Sequence, residues 1–164
     1  QTQGADIFSK PEISLTTIFS HVERKKNRII DLLRTNSCPY CDLSKATLSG
    51  FDLSGANLRY AIFTGAEMKN IKLIGADMTG AVLHGVNLND ANLNDANLTG
   101  TYLANANLIN ATLKNAVLKG TIFFKTNLSA ASMAGADLRN VNFTNALFCQ
   151  TIMPSGEKIN SDCD

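Results

Sequence analysis

The sequence predicts an all-β solenoid, in which the chain coils around one axis and buries a large side chain once every five residues. Three observations support this fold class. Twenty-two positions, taken in steps of five from Leu43 to Phe148, are all large and apolar. The residue two positions before each of them is mostly small, and most often Ala. None of these forty-four positions carries a charge, as a continuous core requires, because an isolated buried charge is costly.

A period of five fits neither a regular α-helix nor a continuous strand. An α-helix turns 100° per residue, so successive apolar positions would move 140° around it and no apolar face would form. Side chains alternate along a strand, so an odd period would send successive large residues to opposite faces. A chain that turns one corner in each pentad keeps all of them on the inside. The repeat therefore predicts a β-helix.

The repeat also resembles a known family. The run from Ala91 to Gly100, Ala-Asn-Leu-Asn-Asp and then Ala-Asn-Leu-Thr-Gly, is similar to the A-(D/N)-L-x-x signature of pentapeptide-repeat proteins. The resemblance covers residues 41–150, which is 22 pentads. It implies a right-handed quadrilateral β-helix with four pentads, or twenty residues, per turn. The centre residue and the small residue would point inward and the other three positions outward.

The residues before the repeats predict a helical N-terminal cap over residues 11–40. Thr16 to Thr35 reads as an amphipathic helix, with Ile18, Val22, Ile29 and Leu33 at helical spacing. A solenoid leaves the floor of its first coil open, so we expect this helix to act as its lid.

Two further features of the N-terminal region carry weaker signals. The basic segment from Glu23 to Arg28 could indicate anionic lipid or nucleic acid, but a short charge run is more typical of a solvated helix face. Residues 1–10 show little pattern, and we expect a flexible N-terminal segment there.

The cysteines lie in two groups. Four cysteines allow three pairings, but Cys38 and Cys41 lie at one end of the implied rod and Cys149 and Cys163 at the other. That separation excludes cross-pairing within one molecule. We therefore expect a local disulfide between Cys149 and Cys163, the alternative being two unpaired thiols. It would close residues 151–164 into a C-terminal capping tail.

The first pair needs a second interpretation, because Cys38-Pro39-Tyr40-Cys41 spells the active-site motif of glutaredoxins. A working dithiol of that kind lies at a helix N-terminus after a strand, where the helix dipole lowers the thiol pKa. Here the motif follows the predicted helix and runs into the first pentad. The sequence favours a structural disulfide between Cys38 and Cys41, or two buried thiols, over redox catalysis.

The end of the chain resembles that of exported relatives. The run Phe-Cys-Gln-Thr-Ile-Met-Pro from Phe148 to Pro154, with the later Cys163, is similar to the ending of pentapeptide-repeat proteins from the thylakoid lumen or periplasm of photosynthetic organisms. Ser155 departs from it, since that ending usually has Asp there. Disulfides persist in such oxidising compartments. The resemblance implies an exported protein, and the start on Gln1 fits either a removed leader or a truncated beginning.

The composition and net charge limit the kinds of partner that the chain is expected to bind. The 164 residues are 45% hydrophobic and 18% charged, with a formal net charge of +1. A chain of this size and composition is one domain. No apolar run is long enough for a membrane span, and a near-neutral chain has no general attraction to nucleic acid or anionic lipid. We therefore expect no membrane insertion and no nucleic-acid partner.

The twenty-residue coil sorts the outward residues into columns. One column reads Asp42, Ile62, Val82, Tyr102, Ile122 and Asn142, and Phe124 lies next to it. An exposed apolar strip usually marks a contact surface. The alternative is that β-branched and aromatic residues merely suit outward strand positions. We expect an interaction face for a protein partner or for self-association, formed by Ile62, Val82, Tyr102, Ile122 and Phe124.

Nothing in the sequence indicates catalysis, a cofactor or a metal site. The two histidines, His21 and His84, stand alone, and neither forms a cluster with Asp, Glu or Cys at metal-ligand spacing. Nine of the eleven glycines fall at pentad corners, and none belongs to a phosphate-binding loop of the P-loop type. We expect a non-enzymatic structural or protein-interaction module with an unknown partner. The alternative, carried over from the family, is a DNA-mimicking protein that interacts with gyrase, but such mimicry needs a strongly negative rod.

Overall fold

The computed structural model describes residues 15–164. It contains helix α1, Leu15–Thr35, and two short strands, β1, Thr151–Ile152, and β2, Lys158–Ile159, which pair antiparallel. Between α1 and β1 the pentads pair through isolated parallel bridges, each joining residues twenty apart. The predicted helix over 16–35 agrees with α1, whereas the segment 1–10 lies outside the described residues.

Each pentad forms its own turn through local hydrogen bonds. In the first predicted pentad, Ser44 donates its backbone N–H to the Asp42 carboxylate at 3.0 Å, and the N–H of Ala46 reaches the carbonyl of Leu43 at 3.1 Å. Asp and Asn make such bonds to the backbone two residues on, which explains their place before the centre in the signature. The corner residue then takes a positive φ, as at Lys45, where φ is 58°.

Hydrogen bonds between successive coils hold the stack together. Leu83 donates its N–H to the carbonyl of Tyr102 at 2.7 Å, and Gly85 donates to Ala104 at 2.9 Å. In the opposite direction, Tyr102 donates to the carbonyl of Ala81 at 3.0 Å. The same pattern recurs along the chain, and each bond joins residues about twenty positions apart. Each coil therefore contains four pentads.

The core is a column of centre residues and small residues inside the coils. From Leu43 to Met133 the centre residues are at most 1% exposed. Thr121 and Thr126 occupy small inward positions and are fully buried, and their hydroxyls donate to the carbonyls of Leu98 and Leu103 at 2.7 Å. These bonds satisfy polar groups that burial would otherwise penalise. Stacking of neighbouring coils thus supplies both apolar packing and backbone pairing.

The ladder extends one pentad beyond each end of the predicted range 41–150. Cys38 donates its N–H to Asn57 at 2.8 Å and Tyr40 takes a corner φ of 60°, so residues 36–40 form a pentad. Met133 donates to Ile152 at 2.8 Å, which adds residues 151–155. Residues 36–155 make 24 pentads, or six coils. The sequence signal for the added pentads was weak, because Asn36 and Cys38 stand at the small and centre positions of the first, and Pro154 follows the centre of the last.

Helix α1 covers the N-terminal end of the stack. Leu32 is fully buried against the core and Ile29 is partly buried there, while the first centres, Leu43 and Leu48, have no exposure. Val22 and Leu33, which the helical spacing grouped with Ile29, are instead 59% and 50% exposed, as is Ile30 at 50%. Only part of the apolar surface of α1 therefore packs on the coil, and the rest faces water.

The basic segment of α1 caps the backbone of the first coil. Lys25 donates its Nζ to the carbonyl of Ser44 at 2.9 Å, and Arg28 donates to the carbonyl of Asp42 at 3.2 Å. Inside the stack, carbonyls at these positions accept an N–H from the preceding coil, as Thr64 does from Lys45. The first coil has no preceding coil, so Lys25 and Arg28 replace the missing donors. The solvated-face interpretation of this segment is therefore wrong for these two residues.

The C-terminal tail covers only part of the last coil. Phe148 donates its N–H to the Asp162 carboxylate and Gln150 donates to the Asn160 side chain, each at 2.9 Å. The centres Leu138 and Phe143 remain partly exposed. The two ends of the stack are therefore finished differently, the first by a helix and the last by a partial cap.

Candidate interaction face

The residues predicted to share one side do so. Parallel bridges join Ile62 to Val82, Val82 to Tyr102 and Tyr102 to Ile122, so these side chains form a column along consecutive coils. Ile62 is 37% and Tyr102 is 38% exposed, and Val82, Ile122 and Phe124 are half-buried. We call these five residues the apolar face. Whether it binds a partner is a separate question from its placement.

Two neighbouring side chains, His84 and Lys125, pack against aromatic rings of the apolar face. The His84 and Tyr102 rings stack with centroids 6.1 Å apart and an interplanar angle of 21°. The Lys125 ammonium lies 5.2 Å from the centroid of Phe124, within the range of a cation–π contact. Ala104, in the coil between His84 and Phe124, has no exposed surface although its position points outward. The face is thus closely packed at its centre.

Two tyrosines at the adjoining corner extend the aromatic surface, and the sequence interpretation missed them. Tyr40 and Tyr60 stack with centroids 5.1 Å apart and an interplanar angle of 15°, and the Arg59 guanidinium lies 5.5 Å from the Tyr60 ring. Tyr40 is 72% exposed. Both occupy corners, where φ is positive, and their separation of twenty residues was the available signal.

The corners beside the apolar face are mostly small. On the Tyr60 side the next three corners are glycines, and the Tyr60 ring lies over the first of them, Gly80. On the other side Lys45 and Lys125 stand at opposite ends, and their side chains are exposed. The stem of Lys45 lies along the corner over Gly65. The face is therefore flat and open, with cations at one border.

Other exposed apolar residues on the coils are isolated. Ile74, Val117 and Leu147 are 38%, 36% and 46% exposed, but each lies on a different side of the stack. Single exposed apolar residues are normal on protein surfaces. The apolar face differs from these isolated residues because it is continuous. In the described chain, only the column with Tyr102 presents apolar residues in four successive coils.

Three asparagines that stack on one side of the coils, Asn87, Asn107 and Asn127, accept hydrogen bonds within their own pentads. Asn107 accepts the N–H of Ile109 at 3.3 Å, and Asn127 accepts the N–H of Ser129 at 3.0 Å. Asn87 accepts from Asn89 in the same way and donates to Glu67 of the preceding coil. The side-chain oxygens therefore shape the turns. Their similarity to Asp at equivalent positions explains why both residues occur there.

Aspartates at the same position have lowered pKa values. Hydrogen bonds from Arg139 lower the pKa of Asp137 to about 2. The Ser44 hydroxyl and backbone N–H lower the pKa of Asp42. Burial acts to raise the pKa of Asp77, but hydrogen bonds from Thr79 and Arg59 outweigh it and the pKa is lowered. These carboxylates stabilise turns, and two of them also form ion pairs, Asp77 with Arg59 and Asp137 with Arg139.

The four cysteines form the two local pairs. Cys38 and Cys41 have Cα atoms 5.5 Å apart, and Cys149 and Cys163 have Cα atoms 4.8 Å apart, with sulfurs at bonding distance in both. Cys38 is 6% exposed and sits at a centre position directly after α1. Cys38 therefore follows the C-terminus of α1, whereas a reactive thiol of this kind lies at a helix N-terminus, where the helix dipole lowers its pKa. The glutaredoxin-like motif thus occupies a coil corner.

Within residues 15–164, no group of three or more His, Cys, Asp or Glu side chains is arranged to hold a metal ion.

The single long helix in that part of the chain, α1, is not apolar enough to cross a membrane.

Comparisons with known proteins agree with the repeat. The model of the pentapeptide repeat family matches in eight copies, over residues 40–73, 69–100, 91–129, 101–140 and 121–153. A crystal structure of a pentapeptide repeat protein from the cyanobacterium Cyanothece 51142 superposes with a TM-score of 0.51 at 22% identity, covering 74% of this chain and 92% of that one. No curated protein sequence matches the chain.

Two other solved structures are similar over about two thirds of the chain. A pentapeptide repeat protein from the Arabidopsis thaliana thylakoid lumen is 26% identical, with a TM-score of 0.38 over 65% of this chain and 68% of that one. QnrB1, a plasmid-mediated fluoroquinolone resistance protein, is 23% identical, with a TM-score of 0.39 over 67% and 71%. The repeat model spans most of the sequence. The chain therefore belongs to the pentapeptide repeat family, whose members fold as right-handed quadrilateral β-helices.

Proposed function

We propose that this chain is a non-enzymatic protein-interaction module and that the apolar face binds another protein. The observation that supports this most directly is the run of apolar side chains on one side of four successive coils. A continuous apolar strip exposed to water is typical of a contact surface. The inside of the coils is filled by fully buried centre residues, so binding by the outer surface is the natural use of this fold.

The test is the double substitution Tyr102→Ser with Ile122→Ser. Both residues point outward, so the coils should still form, which circular dichroism can check. We expect association in solution, or capture of a partner from the native compartment, to be lost. The matched control is Ile74→Ser with Val117→Ser, which removes two apolar residues of similar exposure from other sides. Association that survives in the first variant would contradict the proposal.

We also propose that the coils wind right-handed and close as a quadrilateral all-β solenoid, as family membership implies. In this proposal α1, Leu15–Thr35, acts as the helical cap, the pentads of residues 36–155 form the rod and the rest of the tail caps its end. An experimental structure would test the hand of the winding. Limited proteolysis should cut near the ends of the chain before it cuts within the repeats.

We propose further that the protein works in an oxidising compartment, the periplasm or the thylakoid lumen. The two close cysteine pairs support this, because disulfides persist in such compartments and are rare in the cytosol. Labelling of thiols in denaturant, without reductant, should detect no free thiol in protein purified from its native compartment. Four reactive thiols would contradict the proposed location.

DNA mimicry directed at gyrase is the weaker candidate. A protein that imitates duplex DNA must present the negative charge of phosphates. The formal net charge of this chain is +1, and two of its outward aspartates are paired with arginines. We expect no effect of the purified protein on DNA supercoiling by gyrase, and inhibition at low micromolar concentration would favour this candidate instead.

A further inference from the structure

The size of the apolar face limits what can cover it. Successive coils are about 4.8 Å apart, so the four coils from Ile62 to Ile122 that carry the apolar face occupy about 19 Å of the stack. One pentad side is about 10 Å wide, which gives an area of roughly 190 Å². A stable interface between two globular surfaces buries about 800 Å² on each partner. The face is too small for such a dimer and matches the footprint of a single helix, whose diameter is about 10 Å.

The spacing of the apolar residues favours a helix over an extended strand. Ile62 and Ile122 are three coils apart, or about 14 Å. On an α-helix, residues i, i+4, i+7 and i+11 lie on one face and span about 16 Å. Four residues on one face of a strand span about 20 Å. The apolar residues of a helix that lies along the column therefore have nearly the same spacing as those of the face.

The charges at the border indicate which helix would bind. Lys45 and Lys125 stand at one edge of the face, four coils or about 19 Å apart, with only Gly65, Gly85 and Asn105 between them at that corner. Neither lysine forms an ion pair within the described residues. The nearby acid, Asp42, is already bonded to the Ser44 hydroxyl at 2.6 Å. Carboxylates on a partner would therefore meet cations without an acidic partner at both ends.

From these three points we propose that the apolar face binds one amphipathic α-helix of a partner protein, with acidic residues on the flank that faces Lys45 and Lys125. This rests on the proposed function and specifies the partner's chemistry. The helix would be about four turns long, with aliphatic residues against Ile62, Val82 and Ile122 and its axis along the stack. Helices recognised in this way are read through anchors at i, i+3 or i+4, and i+7.

The experiment uses the full chain and two synthetic helical peptides of about 16 residues. One peptide carries leucines at i, i+4, i+7 and i+11 with glutamates beside them, and the other has lysines in place of the glutamates. Isothermal titration calorimetry should show binding of the acidic peptide alone. Lys45→Glu with Lys125→Glu should weaken it about tenfold at low salt, with a smaller effect at high salt because exposed charges are screened.

The matched control is Lys72→Glu with Lys114→Glu, the same charge change on the opposite side, which should leave binding unchanged. If Tyr102→Ser with Ile122→Ser abolishes association but the two peptides bind equally, or neither binds, the acidic-helix proposal is wrong while the interaction face stands. If association survives both face variants, the proposed function fails as well. Sedimentation showing a dimer that Tyr102→Ser with Ile122→Ser dissociates would identify a second copy as the occupant and overturn the proposal.

Discussion

At the scale of single residues, the corner of each pentad determines what the sequence can tolerate. Corners take φ values near 60°, a region that costs most L-residues about 1 kcal/mol. Glycine avoids this cost, and Asn and Asp reduce it through local hydrogen bonds. The pentad signature leaves its last two positions open, yet glycine, Asn and Asp fill most corners of this chain. The side chain at a corner then leans over the corner of the next coil, as Tyr60 does over Gly80.

Gly80→Ala should therefore destabilise the protein by more than the backbone cost alone. A methyl group at residue 80 would overlap the Tyr60 ring, so the ring would have to leave its stack with Tyr40. Gly75→Ala is the matched control, because φ is similar and no atom lies within 4 Å. We expect a loss of about 1 kcal/mol at residue 75 and about 2 kcal/mol at residue 80 in denaturant unfolding.

The extra loss at residue 80 should disappear when Tyr60 is also replaced by Ser, because the ring that blocks the methyl group is then gone. Equal losses for Gly80→Ala and Gly75→Ala in the otherwise unchanged protein would show that the Tyr60 ring moves freely.

The aspartates before the centre residues predict acid sensitivity. Asp137 has a pKa of about 2 in the folded chain, and in the unfolded chain an Asp titrates near about 3.9. The unfolded state therefore binds more protons as the pH falls, so the stabilisation is complete above about pH 4 and is lost on the way to about pH 2. We expect the Tm to fall in this window.

Asp137→Asn should reduce the fall in Tm, because Asn still accepts the N–H of residue 139 but does not titrate. Asn fills the same role at residues 127 and 142. Thermal melts of both proteins between about pH 2 and pH 6 measure the difference. Superimposable acid profiles would show that this carboxylate contributes nothing.

At the scale of elements, α1 shows where sequence reasoning succeeded and where it could not. Helical spacing predicted the bounds of α1 well, since periodicity is a local property of the chain. It did not predict that Leu32 and Ile29 face the coil while Val22 and Leu33 face water. That choice depends on the angle at which the helix meets the first coil. The capping bonds of Lys25 and Arg28 depend on the same angle and left no local signal.

Removing these capping bonds should loosen the N-terminal end. In Lys25→Met with Arg28→Met the carbonyls of Ser44 and Asp42 lose their donors, at a cost of about 1–3 kcal/mol for each partly buried bond to a charged group. Amide hydrogen exchange in the first coil should become faster. Arg24→Met with Lys26→Met makes the same charge change on exposed positions of α1 and should not alter it. Equal exchange in both variants would rule out a capping role.

The candidate face was predicted in part for a comparable reason. The column of Ile62, Val82, Tyr102 and Ile122 follows from counting in twenties, and the bridges place it as expected. The corner tyrosines were missed because corners were interpreted only as glycine positions. The ring contacts of His84 and Lys125 could not be predicted, because they depend on side-chain rotamers rather than on register.

At the scale of the whole molecule, the two ends of the stack differ in how completely they are closed. Within the described residues, the N–H groups of Leu138, Asn140, Phe143 and Asn145 have no acceptor, while their equivalents one coil earlier are all bonded. We expect these four amides to exchange fastest among centre and corner residues, and protection to rise toward the middle coils. Mass spectrometry of exchanged peptides measures this gradient. Uniform protection up to residue 145 would mean that something covers the last coil.

The period of twenty also determines how this protein can change in length. Loss of a single pentad would leave every turn intact, yet it would rotate all later residues by a quarter turn relative to the earlier ones. A deletion between Val82 and Tyr102 would divide the apolar face into two short halves on adjacent sides of the stack. Loss or duplication of four pentads would only shorten or lengthen it. The fold can therefore gain or lose residues in steps of five, whereas a surface that spans several coils keeps its arrangement only when the change is a multiple of twenty.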